Sequence, residues 1–285
     1  MDKIKETLPL VSVCCLAYNQ HRYIKECIEG VIKQQTSFLI EILIQDDASD
    51  DGTAEIIRHY AAKYPELIHP VFQTENQYSK GVSIVQPLYD LAKGKYIAFC
   101  DGDDYWIDPL KLQKQVDYLE CNPDCGLICT DFKRYIQGYD LFEKSNTGNS
   151  SHLTYKDIIL GQATILLSSA CLRRRFIENR DYTHLDPAYY FKGDALLFLD
   201  ISLYSYIYFS SDITTVYRML KNSISHPDNY IERCKFSYMM SNTILYFLQK
   251  RPLTDPKQQK KTEFRHRISV LSYLLRCIFL LNCVR

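Results

Sequence analysis

The chain has 285 residues, and its 34 basic and 34 acidic side chains leave no formal net charge at pH 7. This length is sufficient for a large buried core and favours one domain with an appendage. The charge balance argues against nucleic acid as a partner, because contacts to the phosphate backbone depend on an excess of Lys and Arg. Many of the 11 cysteines lie in apolar runs, and the first residues do not resemble a signal peptide, so we expect a cytoplasmic protein.

The first half of the chain predicts strands that alternate with helices. The predicted strands are "LVSVCCLAYN", "LIEILIQDD", "LIHPVFQ", "KYIAFC" and "CGLICTDF". The helices between them are the segment from Tyr23 to Ile32, "TAEIIRHYAAKYP", "SIVQPLYDLAKG" and "DPLKLQKQVDYLECNP". This alternation indicates right-handed βαβ units, so the expected fold class is α/β, with a Rossmann-like, mostly parallel sheet flanked by helices.

The regular alternation stops at the polar stretch "EKSNTGNSSH", and a helical pattern begins near Asp228. We therefore expect a main domain over residues 1–227, with halves at about 8–140 and 150–227, and a helical C-terminal region over 228–285. In that region five basic residues precede the apolar run from Ile268 to Leu281; they are Lys257, Lys260, Lys261, Arg265 and Arg267. This layout is typical of a helix on an anionic membrane surface, and burial against the protein's own core or a second subunit is the alternative.

Three polar clusters follow predicted strands: "AYNQ" after the first, "DDASDDGT" after the second and "DGDD" after the fourth. The carboxyl ends of parallel strands are where ligands bind in open α/β sheets. In the last cluster, Asp101 and Asp103 are two residues apart on a turn and are suited to bind one hard divalent cation. A calcium-binding loop does not fit, because a 12-residue count from Asp47 places Arg58 where a bidentate Glu is needed.

Three segments, "VSVCCLAYNQ", "EILIQDDASDDGT" and "YIAFCDGDDYW", resemble the family 2 glycosyltransferases of the GT-A type, in order and in spacing. The resemblance covers about the first 140 residues. It implies transfer of a sugar, with inversion, from a nucleotide diphosphate sugar, with Mn²⁺ or Mg²⁺ as cofactor. The expected donor is a UDP-sugar and the expected acceptor a glycan or lipid-linked glycan of bacterial polysaccharide biosynthesis. The two halves of the main domain would then be the nucleotide-binding and acceptor halves, at the inner face of the membrane if the C-terminal helices contact lipid.

The resemblance also implies roles for residues of the first half. Asp47 would accept a hydrogen bond from the nucleotide base, and uracil has an N3–H donor that a carboxylate can bind. Three residues would line the same pocket: Ala17, Tyr18 and Asn19. Ala17 departs from the family, where many members have Pro or Thr. Ser49 and Asp51 are also suited to cap the helix that begins near Thr53.

The DxD motif of the family corresponds to Asp101 and Asp103. Asp103 would contact the metal, and Asp101 the ribose or the metal. Asp104 would support this turn, and the single tryptophan, Trp106, would anchor the turn or pack beside the sugar. Lys80 is a further candidate for the donor site.

In the second half, "FKGDALLFLDIS" resembles the segment that supplies the catalytic base, which would be Asp194. Capping of a helix is the alternative role for Asp194, and Asp186 and Asp200 are the next candidates for the base. "VYRMLKNSISH" resembles the stretch that covers the diphosphate, which would place Arg218 at the donor and make His226 a metal ligand. An ordinary loop histidine is the alternative for His226.

Two other functions share features with this sequence. A sugar nucleotidyltransferase would also combine an α/β sheet with acidic metal ligands, but it should have a glycine-rich phosphate loop after the first strand. Here that segment is "LAYNQHRY", which contains no glycine. A non-catalytic nucleotide-sugar-binding or partner-binding module on the same fold remains an open alternative.

Overall fold

A computed structural model describes residues 8–137, 141–144, 151–178, 185, 193–220 and 229–283, with side chains of the last helix described as far as Leu275. The described residues form two compact units. The first lies within Met1–His152, Ile165–Arg180 and Ile207–Arg218, and the second within Leu153–Thr164, Asp181–Tyr206 and Met219–Arg285. The domain boundary near residue 228 stays a prediction.

The strands are β1 (Val11–Ala17), β2 (Ile40–Asp46), β3 (Ile68–Phe72), β4 (Tyr96–Phe99), β5 (Tyr105–Trp106), β6 (Cys125–Ile136), β7 (Leu141–Lys144), β8 (Ser151–Leu153), β9 (Cys171–Arg173) and β10 (Tyr206–Met219). The helices are α1 (Ile24–Ile32), α2 (Thr53–Lys63), α3 (Gln86–Leu91), α4 (Lys111–Cys121), α5 (Tyr155–Ile159), α6 (Asp194–Tyr204), α7 (Tyr230–Lys250) and α8 (Pro256–Cys283). The predicted elements of the first half are confirmed.

The central sheet has the strand order β3-β2-β1-β4-β9-β6-β10-β5. The first four strands in this order are parallel, and β1 is paired with β2 along its whole length and with β4 from Val11 to Cys14. β1 lies between β2 and β4, and its residues are almost all buried, which explains its continuous apolar run. The α/β fold class is confirmed.

The prediction of a mostly parallel sheet is correct only for those four strands. The short strand β9 pairs antiparallel with both β4 and β6, with Leu172 opposite Ile97 on one side and Leu127 on the other. β5 is also antiparallel to β10, with Trp106 opposite Thr215. The sheet is therefore mixed: the three-residue strand β9, from far along the chain, lies between β4 and β6 and is antiparallel to both.

Helix α1 lies very close to the backbone of β5. A Cβ atom added at Gly30 would be 2.9 Å from the carbonyl oxygen of Trp106 and 3.0 Å from its amide nitrogen. Real Cβ atoms essentially never approach backbone atoms so closely, so only glycine permits this packing. The contact fixes the segment that follows β4, which carries the acidic turn.

The second unit is built around the helices α5 to α8. Its core contains Tyr155, Ile159, Leu185, Leu196, Leu199, Phe247 and Leu248. Helix α8 packs along α7, with the rings of Tyr238 and Tyr273 stacked at 4.6 Å and His266 Nδ1 3.1 Å from the hydroxyl of Ser241. The helical C-terminal region is confirmed. Among the described residues, no helix has the length and hydropathy needed to cross a bilayer.

Candidate functional site

The loop after β1 is bound to the loop after β2 by three consecutive backbone amides. Asn19 N–H donates to Ser49 Oγ at 2.9 Å, and Gln20 N–H donates to Thr53 Oγ1 at 2.8 Å. His21 N–H donates to a carboxylate oxygen of Asp51 at 2.9 Å. The polar residues of "DDASDDGT" thus hold the chain that leaves β1, and this explains why short hydrogen-bonding side chains recur there.

Asp51 also binds the first turn of α2, as predicted from its position. Its other oxygen accepts a bond from Thr53 N–H at 3.0 Å, while Gly52, with φ of 93°, makes the turn. Partial burial opposes ionisation of Asp51, but hydrogen bonds from Thr53 and His21 hold its pKa below the usual value. Ser49 does not cap the helix, because its hydroxyl binds the amide of Asn19 instead.

Asp47 is almost fully buried where β1 and β2 end, with 2% of its surface exposed. Its amide donates to the carbonyl of Ala17 at 2.9 Å. Its two carboxylate oxygens accept bonds from the amides of Gln77 at 2.8 Å and Tyr78 at 3.0 Å. Each oxygen keeps a second lone pair, so a further donor can be bound. The contact with a nucleotide base stays a prediction.

The other predicted donor residues of the first unit lie around Asp47. Tyr18 is 48% exposed directly after β1. Asn19 adopts a positive φ of 52° and accepts a bond from the amide of Asp50 through its side-chain oxygen at 3.0 Å. Lys80 lies in the short helical turn Tyr78–Lys80 and forms an exposed ion pair with Glu75. Their roles toward a donor stay predictions.

Several buried side-chain atoms near this edge of the sheet have no hydrogen-bond partner in the described chain, among them both polar atoms of the Gln45 amide and two further acceptors. The two further acceptors are the side-chain oxygen of Gln20 and one carboxylate oxygen of Asp46. The other oxygen of Asp46 accepts a bond from the amide of Ser49 at 3.0 Å. Buried polar atoms are almost always paired with protein or water, so unpaired acceptors at this edge of the sheet are unusual. The Gln20 oxygen packs against Gly102, where an added Cβ atom would overlap with it.

The "DGDD" turn lies directly against the end of β1. Gly102 N–H donates to the carbonyl of Leu16 at 2.9 Å, and Asp104 N–H closes the turn on the carbonyl of Asp101 at 2.8 Å. Asp101 N–H donates to the hydroxyl of Ser168 at 3.1 Å. The side chains of Asp101 and Asp103 are both partly exposed on this turn. The structure therefore brings this acidic turn and Asp47 to adjacent residues of β1.

Asp104 supports the turn from within the protein. One of its carboxylate oxygens accepts a bond from the hydroxyl of Ser168 at 2.6 Å, and the other accepts a bond from Arg218 N–H at 3.0 Å. Burial raises the pKa of Asp104 well above its usual range, and the nearby Asp103 and Asp101 carboxylates act in the same direction. The sequence suggested this supporting role, but not the partners, which are distant in the chain.

Arg218 lies beside Asp103, but its side chain is only 4% exposed. It donates to the backbone carbonyl of Asp103 at 2.6 Å and forms an ion pair with Glu26. The ring of Tyr105 is 4.5 Å from the guanidinium carbon. Glu26 was missed by the sequence reasoning, because no short-range pattern links it to a residue so far along the chain.

No group of three or more potential ligands for a metal forms among the residues that the structure describes. His226 lies outside them, so its role stays a prediction. Asp101 and Asp103 nevertheless fit a hard cation, because Mg²⁺ is commonly held by one or two carboxylates, substrate phosphates and water. Burial raises the pKa of Asp103, and the charge of Arg218 opposes this effect.

Asp194 is the first residue of α6, in the second unit. Gly193 occupies the N-cap position, and one Asp194 oxygen accepts a bond from Ala195 N–H at 2.8 Å. The helix dipole alone would favour ionisation, but burial raises the pKa of Asp194 despite that bond. Asp200 lies in the same helix, whereas Asp186 falls outside the described residues.

Lys111, at the start of α4, is fully buried and was not predicted. Its ammonium group lies 4.1 Å from the centre of the Trp106 ring and donates to Gln115 at 2.8 Å. Trp106 is buried as well, and its indole N–H donates to the carbonyl of Ser168 at 2.7 Å. Trp106 therefore anchors the segment after the acidic turn.

Burial lowers the pKa of Lys111 to about 8, although nearby thiols and Asp108 act in the opposite direction. The unfolded chain then binds a proton between pH 8 and 10.5 that the folded chain does not, so Lys111 makes stability rise with pH in that interval. The change is about 3 kcal/mol. Chemical unfolding at pH 7 and pH 10 should therefore show the stability of the wild type rising relative to that of Lys111→Met, a comparison that cancels the opposing titration of the buried thiols common to both proteins. Parallel pH curves for the two proteins would contradict the assignment.

The structure is similar to those of proteins solved with nucleotide sugars. S. aureus TarS, solved in complex with UDP-GlcNAc, superposes on 93% of this chain with a TM-score of 0.63 and 17% identity, and 71% of the TarS chain is covered. A mannosyltransferase from Pyrobaculum calidifontis, solved with GDP-Man and Mn²⁺, superposes over 94% of this chain and 73% of that chain, with a TM-score of 0.61 and 16% identity. The chain therefore has the GT-A fold.

Residues 12–180 match the sequence profile of glycosyl transferase family 2, and this chain belongs to that family. WfaP of Escherichia coli, a UDP-Glc:alpha-D-GlcNAc-diphosphoundecaprenol beta-1,3-glucosyltransferase, is 28% identical over 195 residues, which are 68% of this chain and 70% of WfaP. An uncharacterized protein of Mycobacterium tuberculosis is 45% identical over 115 residues, 40% of this chain. The match spans 32% of that relative.

Proposed function

We propose that this chain transfers a sugar, with inversion, from a UDP-sugar to a glycan or lipid-linked acceptor. The observation that carries the proposal is the arrangement at the end of β1. Leu16 accepts a backbone bond from the acidic turn, and the next residue, Ala17, accepts one from Asp47. The carboxylate proposed to bind the base and the two carboxylates proposed to bind the cation thus lie at one edge of the sheet, where ligands of open α/β sheets bind.

In this mechanism Asp47 accepts a hydrogen bond from the uracil base, beside Ala17, Tyr18 and Asn19. Asp101 and Asp103 would hold Mn²⁺ or Mg²⁺, and the ion would supply Lewis-acid stabilisation of the departing diphosphate. Mn²⁺ in the Pyrobaculum calidifontis mannosyltransferase structure supports the choice of ion. The donors named for TarS and WfaP support a UDP-sugar.

Asp194 is the proposed general base. It takes the proton from the acceptor hydroxyl as that oxygen bonds to the anomeric carbon, and the bond from this carbon to the diphosphate oxygen breaks. Partial burial is consistent with this role, because a raised pKa makes a carboxylate a stronger base, closer to the optimum near neutral pH. Arg218 is proposed to stabilise the turn and the diphosphate, although Glu26 already pairs with it. Lys80 and His226 are proposed as further donor and metal contacts.

The proposed setting is polysaccharide biosynthesis at the cytoplasmic face of the membrane. The relative WfaP acts on a diphosphoundecaprenol-linked sugar, which supports a lipid-linked acceptor. The sulfur atoms of Cys15 and Cys27 lie 3.6 Å apart without a disulfide. Unpaired neighbouring thiols are typical of reducing compartments.

A panel of nucleotide sugars tests the proposal directly. A bound donor stabilises the folded state by mass action, by about 2.7 kcal/mol at 100 times its dissociation constant. We expect the melting temperature to rise with a UDP-sugar and Mn²⁺ and not with GDP- or CDP-sugars. Release of UDP with candidate acceptors would then separate a transferase from a non-catalytic binding module.

Asp47→Ala should weaken UDP binding by about 1.5 to 3 kcal/mol, because a hydrogen bond to a charged acceptor is lost. It should also reduce the ratio of the affinities for UDP and CDP. Cytosine has no N3–H donor, so CDP does not make the bond to Asp47 that UDP loses in the variant. Isothermal titration calorimetry with both nucleotides measures these effects. The exposed Asp50 of the same loop provides the matched control, Asp50→Ala. An unchanged preference for UDP in a folded Asp47→Ala protein would refute the base-reading role.

A further inference from the structure

Helix α8 has one side that no described part of the chain covers. It packs on α7 through the side that carries His266 and Tyr273. Four apolar residues on the opposite side are between 49% and 67% exposed; they are Phe264, Ile268, Leu271 and Leu275. Their spacings of four, three and four residues place them on one helical face. Soluble proteins rarely leave such a continuous apolar row exposed without a binding role.

The same outward face is basic toward the start of the helix. Lys257, Lys260 and Lys261 are exposed there, one to two turns before Phe264. Arg267, also exposed, lies among the apolar residues. Between residues 256 and 275 the helix has a single acidic residue, Glu263, which lies toward its side and interacts with Gln259 and Arg267. The outward face therefore combines uncompensated positive charge with an adjoining apolar row.

We propose that this outward face of α8 binds the surface of an anionic lipid bilayer. The lysines contact lipid phosphates, and the apolar row enters the boundary between headgroups and acyl chains. A second copy of the helix fits less well, because parallel pairing would bring the lysines together and antiparallel pairing would place them against the apolar row. Neither pairing supplies the missing negative charge, whereas an anionic bilayer offers phosphates and an apolar layer in adjacent positions. This inference rests on the proposed function, because binding to a bilayer would bring the protein to the lipid-linked acceptor proposed above.

Vesicle sedimentation of the full chain tests the proposal. We expect binding to vesicles that contain phosphatidylglycerol and at least ten-fold weaker binding to vesicles of phosphatidylcholine alone. Lys257→Gln, Lys260→Gln and Lys261→Gln combined should weaken the former by at least ten-fold, since each lysine near an anionic surface contributes roughly five-fold. Leu271→Ser with Leu275→Ser should have a comparable effect. Lys33→Gln and Leu91→Ser are matched controls, because both side chains are exposed in the first unit.

Two results would overturn the inference. One is equal or absent binding to both kinds of vesicle. The other is a concentration-dependent dimer without lipid, observed by light scattering and abolished by the α8 substitutions, which would make the face a self-association surface. UDP affinity measured on the same preparations separates this test from the proposed function. A protein that binds UDP but no vesicles would refute only the proposed lipid binding by α8. A protein that binds vesicles but no UDP would refute only the proposed donor binding.

Discussion

Asp103→Asn should reduce sugar transfer by about 1,000-fold and remove the dependence of donor binding on Mn²⁺, while the protein stays folded. The expected size follows from one charge pair at about 4 Å, which contributes roughly 4 kcal/mol at an effective dielectric constant near 20. The turn itself should persist, because Asp103 contributes its backbone carbonyl, and not its side chain, to the bond with Arg218. Transfer rate, Mn²⁺ titration and melting temperature on one preparation measure the three effects.

The neighbouring Asp104 provides the comparison for this experiment. Its two carboxylate oxygens accept bonds from the Ser168 hydroxyl and the Arg218 backbone amide inside the protein. Asp104→Asn replaces one of these acceptors by an NH2 donor, so one of the two bonds is lost. We expect Asp104→Asn to lower the melting temperature, whereas Asp103→Asn should leave it nearly unchanged. Full activity of Asp103→Asn, or of the wild type after treatment with a chelator, would show that no cation is held there.

Asp194→Asn should reduce turnover by at least about 100-fold, the usual contribution of a positioned base, without changing donor affinity. The amide oxygen can still accept the bond from Ala195 N–H, so a purely structural role predicts normal turnover. Stability at neutral pH should be equal or higher, because burial raises the pKa of Asp194 and ionisation therefore costs free energy in the folded state. Single-turnover transfer, donor affinity and melting temperature distinguish the two roles.

The pH dependence gives an independent test of Asp194. Only the ionised carboxylate accepts the proton, so the rate should rise with pH through a pKa that is above the usual value for Asp. Asp200→Asn, in the same helix, is the comparison and should keep near-normal turnover and the same pH profile. Loss of turnover in Asp200→Asn together with activity of Asp194→Asn would transfer the base role to Asp200.

Local sequence patterns were sufficient for much of the first unit. The apolar runs of β1, β2 and β4 and the helical periodicity between them predict these elements, because side-chain burial follows the period of each element directly. The position of the acidic clusters after β2 and β4 also predicts that they meet at one edge of the sheet, since parallel strands end on the same side. The capping role of Asp51 could be predicted because its partners, Thr53 and His21, are either adjacent or in the neighbouring loop.

Contacts between distant parts of the chain were decided only by the tertiary structure. The insertion of β9 between β4 and β6 has no local signal, because three apolar residues do not specify their neighbours. The pairing of Arg218 with Glu26 and the burial of Lys111 against Trp106 likewise depend on which elements pack together. By itself, the sequence determined the elements, the family resemblance and the candidate carboxylates of this protein. Packing between distant residues determined the partners of these carboxylates. It also decided which charged groups are buried, which pKa values are raised or lowered, and which residues are left exposed on α8.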